Sequence, residues 1–117
     1  MIIRKCAVIL AAGLIASPAY AANVQKGIHY AMKHCAECHG KDGKGDGPAL
    51  AVIGVTTPPA DWTNKAVMSQ MSDSYLTEII EKGGKAVGKS SHMPGYASKL
   101  SSAQVADLVA YIRSLSE

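Results

Sequence analysis

The chain has 117 residues, 48% of them hydrophobic but only 5% aromatic, with no phenylalanine and a formal net charge of +3. So small a charge excludes a nucleic-acid-binding surface of the usual basic kind. The length allows one small domain, a size that commonly leans on a staple or a cofactor, and the scarcity of aromatic anchors leaves room for a cofactor in the core.

The N-terminus reads "MIIRKCAVILAAGLIASPAYAAN". Two early positives, Arg4 and Lys5, precede an apolar run from Cys6 to about Ala16, and "SPAYA" then breaks it. Ala19 and Ala21 stand where a small-residue cleavage site needs them, so residues 1–21 are expected to be a secretory signal peptide. The run is too short to span about 30 Å of hydrocarbon. Cys6 precedes the run, so it is not a lipid-attachment cysteine. The expected mature domain is 22–117, exported to a bacterial periplasm. Its net charge falls to +1 with the loss of Arg4 and Lys5, and its two cysteines are Cys35 and Cys38.

Helical spacing predicts a first helix from about Asn23 to Cys35. Asn23 is its N-cap, and Val24, Ile28, Ala31, Met32 and Cys35 form one face. Gly27 lies on that face. A glycine inside a helix costs roughly 1 kcal/mol against alanine, so a close approach by another element is expected there. A long segment rich in Gly, Pro and Asp follows, from Gly40 to Ser72. A loop of that length is unusual in a compact domain, and it makes sense if it wraps a ligand. The second helix is expected over Asp73 to Lys82, with Leu76, Ile79 and Ile80 as its stripe and Gly83-Gly84 as its stop. A second loop, Gly83 to Leu100, carries "KSSHMPGY". The third helix is expected over about Ser102 to Leu115. Ser101 and Gln104 have capping-box spacing, and Val105, Leu108, Val109, Ile112 and Leu115 form the buried stripe. Period-2 patterning is weak throughout, so the fold class is all-α.

The chemistry sits in "HCAECHG", His34 to Gly40. Cys35-Ala36-Glu37-Cys38-His39 is C-x-x-C-H, the attachment signature of a c-type haem. Residues three apart near a helix end share a face, so two thiols can reach the two vinyl groups of one porphyrin. The next histidine can then turn its imidazole onto the iron. A zinc site would need a second ligand pair, and none is present. A thioredoxin-like motif would want a βαβ context. A plain disulfide would have no use for His39. The reading is one haem c held covalently through Cys35 and Cys38, with iron on His39.

The second axial position has the candidates Met32, Met68, Met71, Met93, His29, His34 and His92. Met93 is favoured, because the following proline stiffens the loop that presents its sulfur. Met68 and Met71 read as core filling, and His29 and His34 as exposed residues of the first helix. Methionine–histidine ligation raises the reduction potential, and it fills both axial positions. The expected chemistry is therefore one-electron transfer and not catalysis.

These residues resemble class I c-type cytochromes, closest to the small monohaem bacterial type also found as domains of cbb3-type oxidases. The resemblance runs from about Gly27 to Leu115 and is carried by "GIHYAMKHCAECHGKDGKGDGPAL", "YLTEIIEKGGKA", "HMPGY" and "SSAQVADLVAYIRSL". It implies an all-α fold of three main helices around a covalent haem. It also implies a crossing of the first and last helices at Gly27 and Tyr111, with Tyr30 matching the aromatic that often precedes the haem motif and His39 and Met93 matching the axial ligands. Pro48 matches the proline whose carbonyl accepts from the proximal histidine. Trp62, the lone tryptophan, departs from the family pattern. It serves either as a partner of a haem propionate or as loop packing.

Lys82, Lys85, Lys89 and Lys99 flank the methionine segment, as a solvated surface or as a face that steers an acidic redox partner. The reading as a whole is a monomeric, periplasmic electron carrier with transient protein partners. A dedicated subunit of a dehydrogenase or oxidase is the first alternative, and an open-site haem enzyme or gas sensor the second.

Overall fold

Asn23 sets the start of the first helix in the computed structural model, which describes residues 21–117. Most of the expected signal peptide lies outside the described residues. The Asn23 side chain accepts from the Lys26 N–H at 3.0 Å, and α1 runs Val24–His34. A single turn, α2, follows at Ala36–His39. The long middle segment is not structureless as expected. It holds two further turns, α3 (Ala49–Val52) and α4 (Lys65–Met68). Each has four residues, too short to be stable without tertiary support, and so neither leaves a periodic signal.

Helix α5 spans Asp73–Lys82, capped by the Ser72 hydroxyl, and is followed by a 3₁₀ turn at Gly84–Val87. Helix α6 spans Ser102–Ser114 and opens with the expected capping box of Ser101 and Gln104. The described residues form helices and no strands. No helix among them is long and apolar enough to cross a membrane.

The core lies where α1, α5 and α6 meet. Ala31, Met68, Leu76, Ile80, Val105, Leu108, Tyr111 and Ile112 are all buried. Met68 therefore fills core, as its sequence context suggests. Met32 does not join the apolar face expected of it: it is 41% exposed. One polar group is buried among the apolar stripe of α6. Asp107 is 1% exposed and accepts from the Asn23 N–H at 2.8 Å, which ties the start of α1 to the middle of α6.

Gly27 shows why its position excludes a side chain. A Cβ there would lie 2.2 Å from the Asp107 carbonyl oxygen and 2.8 Å from the Tyr111 Cβ. The two helices cross backbone to backbone at this point. Gly27→Ala gains roughly 1 kcal/mol of helix propensity but forces apart a contact made mostly of backbone. The clash wins, with an expected net loss of about 1–3 kcal/mol. In a domain of this size each 1 kcal/mol lowers Tm by roughly 4–8 °C. A thermal melt unchanged or raised by the substitution contradicts the crossing.

Arg113, near the end of α6, draws in the segment before α5. It donates to the Met68 carbonyl at 2.7 Å and to the Met71 carbonyl, and it pairs with Asp73 at 2.7 Å.

Candidate cofactor site

The motif is built on a break in the helix. Cys35 ends α1, its N–H still bonded to the Ala31 carbonyl at 2.9 Å. Its own carbonyl then accepts from Cys38 at 3.2 Å and His39 at 2.8 Å, which closes α2. Gly40, at φ 83°, ends that turn. Cys35, Cys38 and His39 are thus held on and beside one turn. The glycine-rich segment folds back over it. Gly45 N–H donates to the His39 carbonyl at 2.8 Å, and Gly47 N–H to the Cys38 carbonyl at 3.0 Å.

Both cysteines are free and half-buried. Burial, with a smaller contribution from Cys38, pushes the Cys35 thiol up to about 11. It is protonated at neutral pH, unlike the thiolate that thiol–disulfide exchange requires. No cluster of three or more His, Cys, Asp or Glu that could hold a metal ion occurs among the described residues.

Burial holds His39 down to about 4. The imidazole is neutral at physiological pH, as an iron ligand must be. A depressed histidine pKa means that the folded state binds fewer protons than the unfolded one. The stability that His39 contributes is therefore full above the ordinary imidazole value of 6.5 and is lost as pH falls through about 4. A urea midpoint followed across that window should drop on acidification. A midpoint that rises there contradicts the burial.

Nδ1 of His39 is buried and has no hydrogen-bond partner. The expected bond to the Pro48 carbonyl is thus not formed. Pro48 is exposed and stands at the N-cap of α3, and the carbonyls of the motif are bonded instead by Gly45 and Gly47. What touches the His39 ring is Trp62. The two rings stack with centroids 4.4 Å apart and planes at 20°. Trp62 is buried, and its backbone N–H donates to the Gly43 carbonyl at 2.7 Å.

The methionine loop is fastened at several points. Gly84 N–H donates to the Met93 carbonyl at 3.0 Å, and Tyr96 N–H to the Ile80 carbonyl at 2.9 Å. The fit is tight at Gly83, whose φ is +88°: a Cβ there would lie 2.9 Å from the Met93 carbonyl oxygen and 2.8 Å from the Gly95 nitrogen. Tyr96 then reaches across the site, its hydroxyl donating to the His34 carbonyl at 3.0 Å. This contact escaped sequence reading, because a tyrosine three residues past a methionine gives no sign of a partner 62 positions upstream. Cys35, Met93 and Tyr96 all pack against the same core cluster. His34, expected to be exposed, is half-buried and lies tilted against the Tyr96 ring. His29 and His92 are exposed.

The residues fit a covalently held haem. Two free thiols, a buried neutral imidazole and a thioether-bearing loop packed on the same core cluster as Cys35 form the donor set, in a chain short of aromatic filling. A helical domain with this thiol and histidine arrangement is of the c-type cytochrome class. The profile of the cytochrome c family matches residues 24–116, and the chain belongs to that family. Its cofactor is haem c with iron. Among solved structures, the KustC0563 c-type cytochrome is 24% identical with a TM-score of 0.61, covering 78% of this chain and 98% of its own. A chain of the Kuenenia stuttgartiensis reducing HAO-like protein complex Kustc0457/Kustc0458 is also 24% identical, with a TM-score of 0.65. That match covers 90% of this chain and 48% of the other, so the present chain spans about half of that protein. At these identities the two structures support the fold. No curated protein matches the chain.

Proposed function

We propose that the protein is an exported monohaem electron carrier whose iron is held by His39 and Met93. The carrying observation is the fastening of the methionine loop. Hydrogen bonds tie it to the end of α5 and to the end of α1 next to Cys35, so that Met93 shares a core with the first thiol. Two of the other candidates fit less well, since Met68 is sealed in the core and Met32 faces outward. Cys35 and Cys38 would hold the ring and His39 and Met93 would hold the iron, which leaves no open site for a substrate. The haem supplies a one-electron couple; the chain supplies ligands, orientation and a dry site.

Export to the periplasm follows from the signal pattern of residues 1–21. The carrier works as a monomer and meets its redox partners transiently, through the small interfaces usual for such encounters. Lys82, Lys85, Lys89 and Lys99 are exposed around the methionine loop. Lys82 is engaged with Glu78 at 3.6 Å, an exposed pair of little energetic weight.

A visible spectrum with a redox titration on the exported protein tests the reading. It should show one one-electron wave, a low-spin ferric spectrum with the long-wavelength band of methionine ligation, and slow binding of carbon monoxide. Rapid carbon monoxide binding without that band favours an open-site enzyme or sensor instead. The likeness to a chain of a named redox complex favours a second reading, a dedicated complex subunit. Stoichiometric co-purification with a dehydrogenase or oxidase would establish it.

A further inference from the structure

Trp62 has a place on the histidine itself. Its indole lies nearly parallel to the His39 imidazole at 4.4 Å between centroids. It is 7% exposed and is backed from behind: a Cβ on Gly43 would lie 2.7 Å from an indole carbon and 2.9 Å from the Leu115 side chain. The chain just beyond is also fixed, because the Asp61 carboxylate accepts from the Thr63 N–H at 2.8 Å and its hydroxyl at 2.6 Å. An axial histidine is ordinarily oriented by a hydrogen bond from its second ring nitrogen. Here that nitrogen has no partner.

We infer that Trp62 is a positioning residue for the axial ligand: the flat face of its indole, in place of a hydrogen bond, sets the rotation of the His39 ring about its bond to iron. This rests on the reading that His39 ligates the iron. It gives Trp62 a different role from a propionate partner, which would act through the indole N–H and not the ring face. The two roles separate cleanly. Phenylalanine keeps a flat face and lacks the N–H; leucine and methionine keep bulk but have neither.

The test uses the haem-loaded protein and its Trp62→Phe, Trp62→Leu and Trp62→Met variants. In ferric low-spin haem the plane of the axial imidazole orients the half-filled iron orbital, and this sets the spread of the haem methyl resonances in the NMR spectrum. Trp62→Phe should keep the parent's pattern, and Trp62→Leu and Trp62→Met should each change its order or spread. Gly27→Ala, about two helical turns before Cys35 at the crossing of α1 and α6, should lower the melting temperature and leave the pattern alone, so that a general loss of stability is not mistaken for reorientation. If Trp62→Leu loses its haem on export, the comparison of Trp62→Met with Trp62→Phe decides. The inference is overturned if the non-aromatic variants keep the parent's pattern, or if Trp62→Phe departs from it as far as they do; the second result assigns Trp62 to the propionate. Failure of the ligation reading looks different. In that case the parent's low-spin spectrum survives His39→Ala, and the inference falls with it.

Discussion

A Met93→Ala variant loses the methionine band of the ferric spectrum and binds carbon monoxide or cyanide rapidly. The fold should survive this change, since the loop is held by its backbone. The Met93 carbonyl accepts from Gly84 and its N–H donates to Ser90, and neither bond needs the side chain. The Tyr96 anchors on Ile80 and His34 are also untouched. What disappears is the thioether, and with it the proposed ligand, of a kind that favours the reduced iron. Axial ligands command a range of about 0.8 V, and the potential should fall by on the order of 0.1 V or more. Met68→Leu and His92→Ala are the comparisons: the first alters sealed core and the second a solvated neighbour, and both should leave the band in place. A Met93→Ala protein with an unchanged band and potential returns the sixth position to another residue.

The second large effect concerns the thiols. Cys35→Ala/Cys38→Ala should abolish haem staining on a denaturing gel, where only a covalent link survives. The loss should be complete, because alanine offers nothing that can form a thioether. It should extend to folding, since a small chain with one tryptophan and no phenylalanine leans on its cofactor for part of its core. Circular dichroism should then show a marked loss of helix against the parent. A parent that never stains, or a double variant that stains as strongly as the parent, defeats covalent attachment through these residues.

The three long helices were legible because each advertises itself locally. Asn23, Ser72 and Ser101 cap their helices as short-range rules require, and the stripes of α5 and α6 have a clear period. The thiols and the histidine were legible because their chemistry is compressed into five residues. What escaped were pairings between distant residues. Nothing near Trp62 says that its ring lies on His39, and nothing near Arg113 says that it gathers the carbonyls of Met68 and Met71. Asp107 interrupts the apolar stripe of α6, and periodicity alone reads it as an exposed position. The Pro48 expectation failed for a related reason. A motif match assigns a residue a neighbour, but the bonds of Gly45 and Gly47 to the motif decide where this backbone runs.

The crossing at Gly27 also bears on the order of events during biogenesis. The surface that α1 must bury is supplied by α6, which lies far along the chain from it. Closing so long a loop is slow, and it cannot begin until α6 has been delivered. Until then Cys35, Cys38 and His39 belong to a helix with no partner, and the motif is open to whatever attaches the cofactor. Topology thus separates the two steps in time: the thiols are reachable first, and the domain shuts over them when α6 arrives.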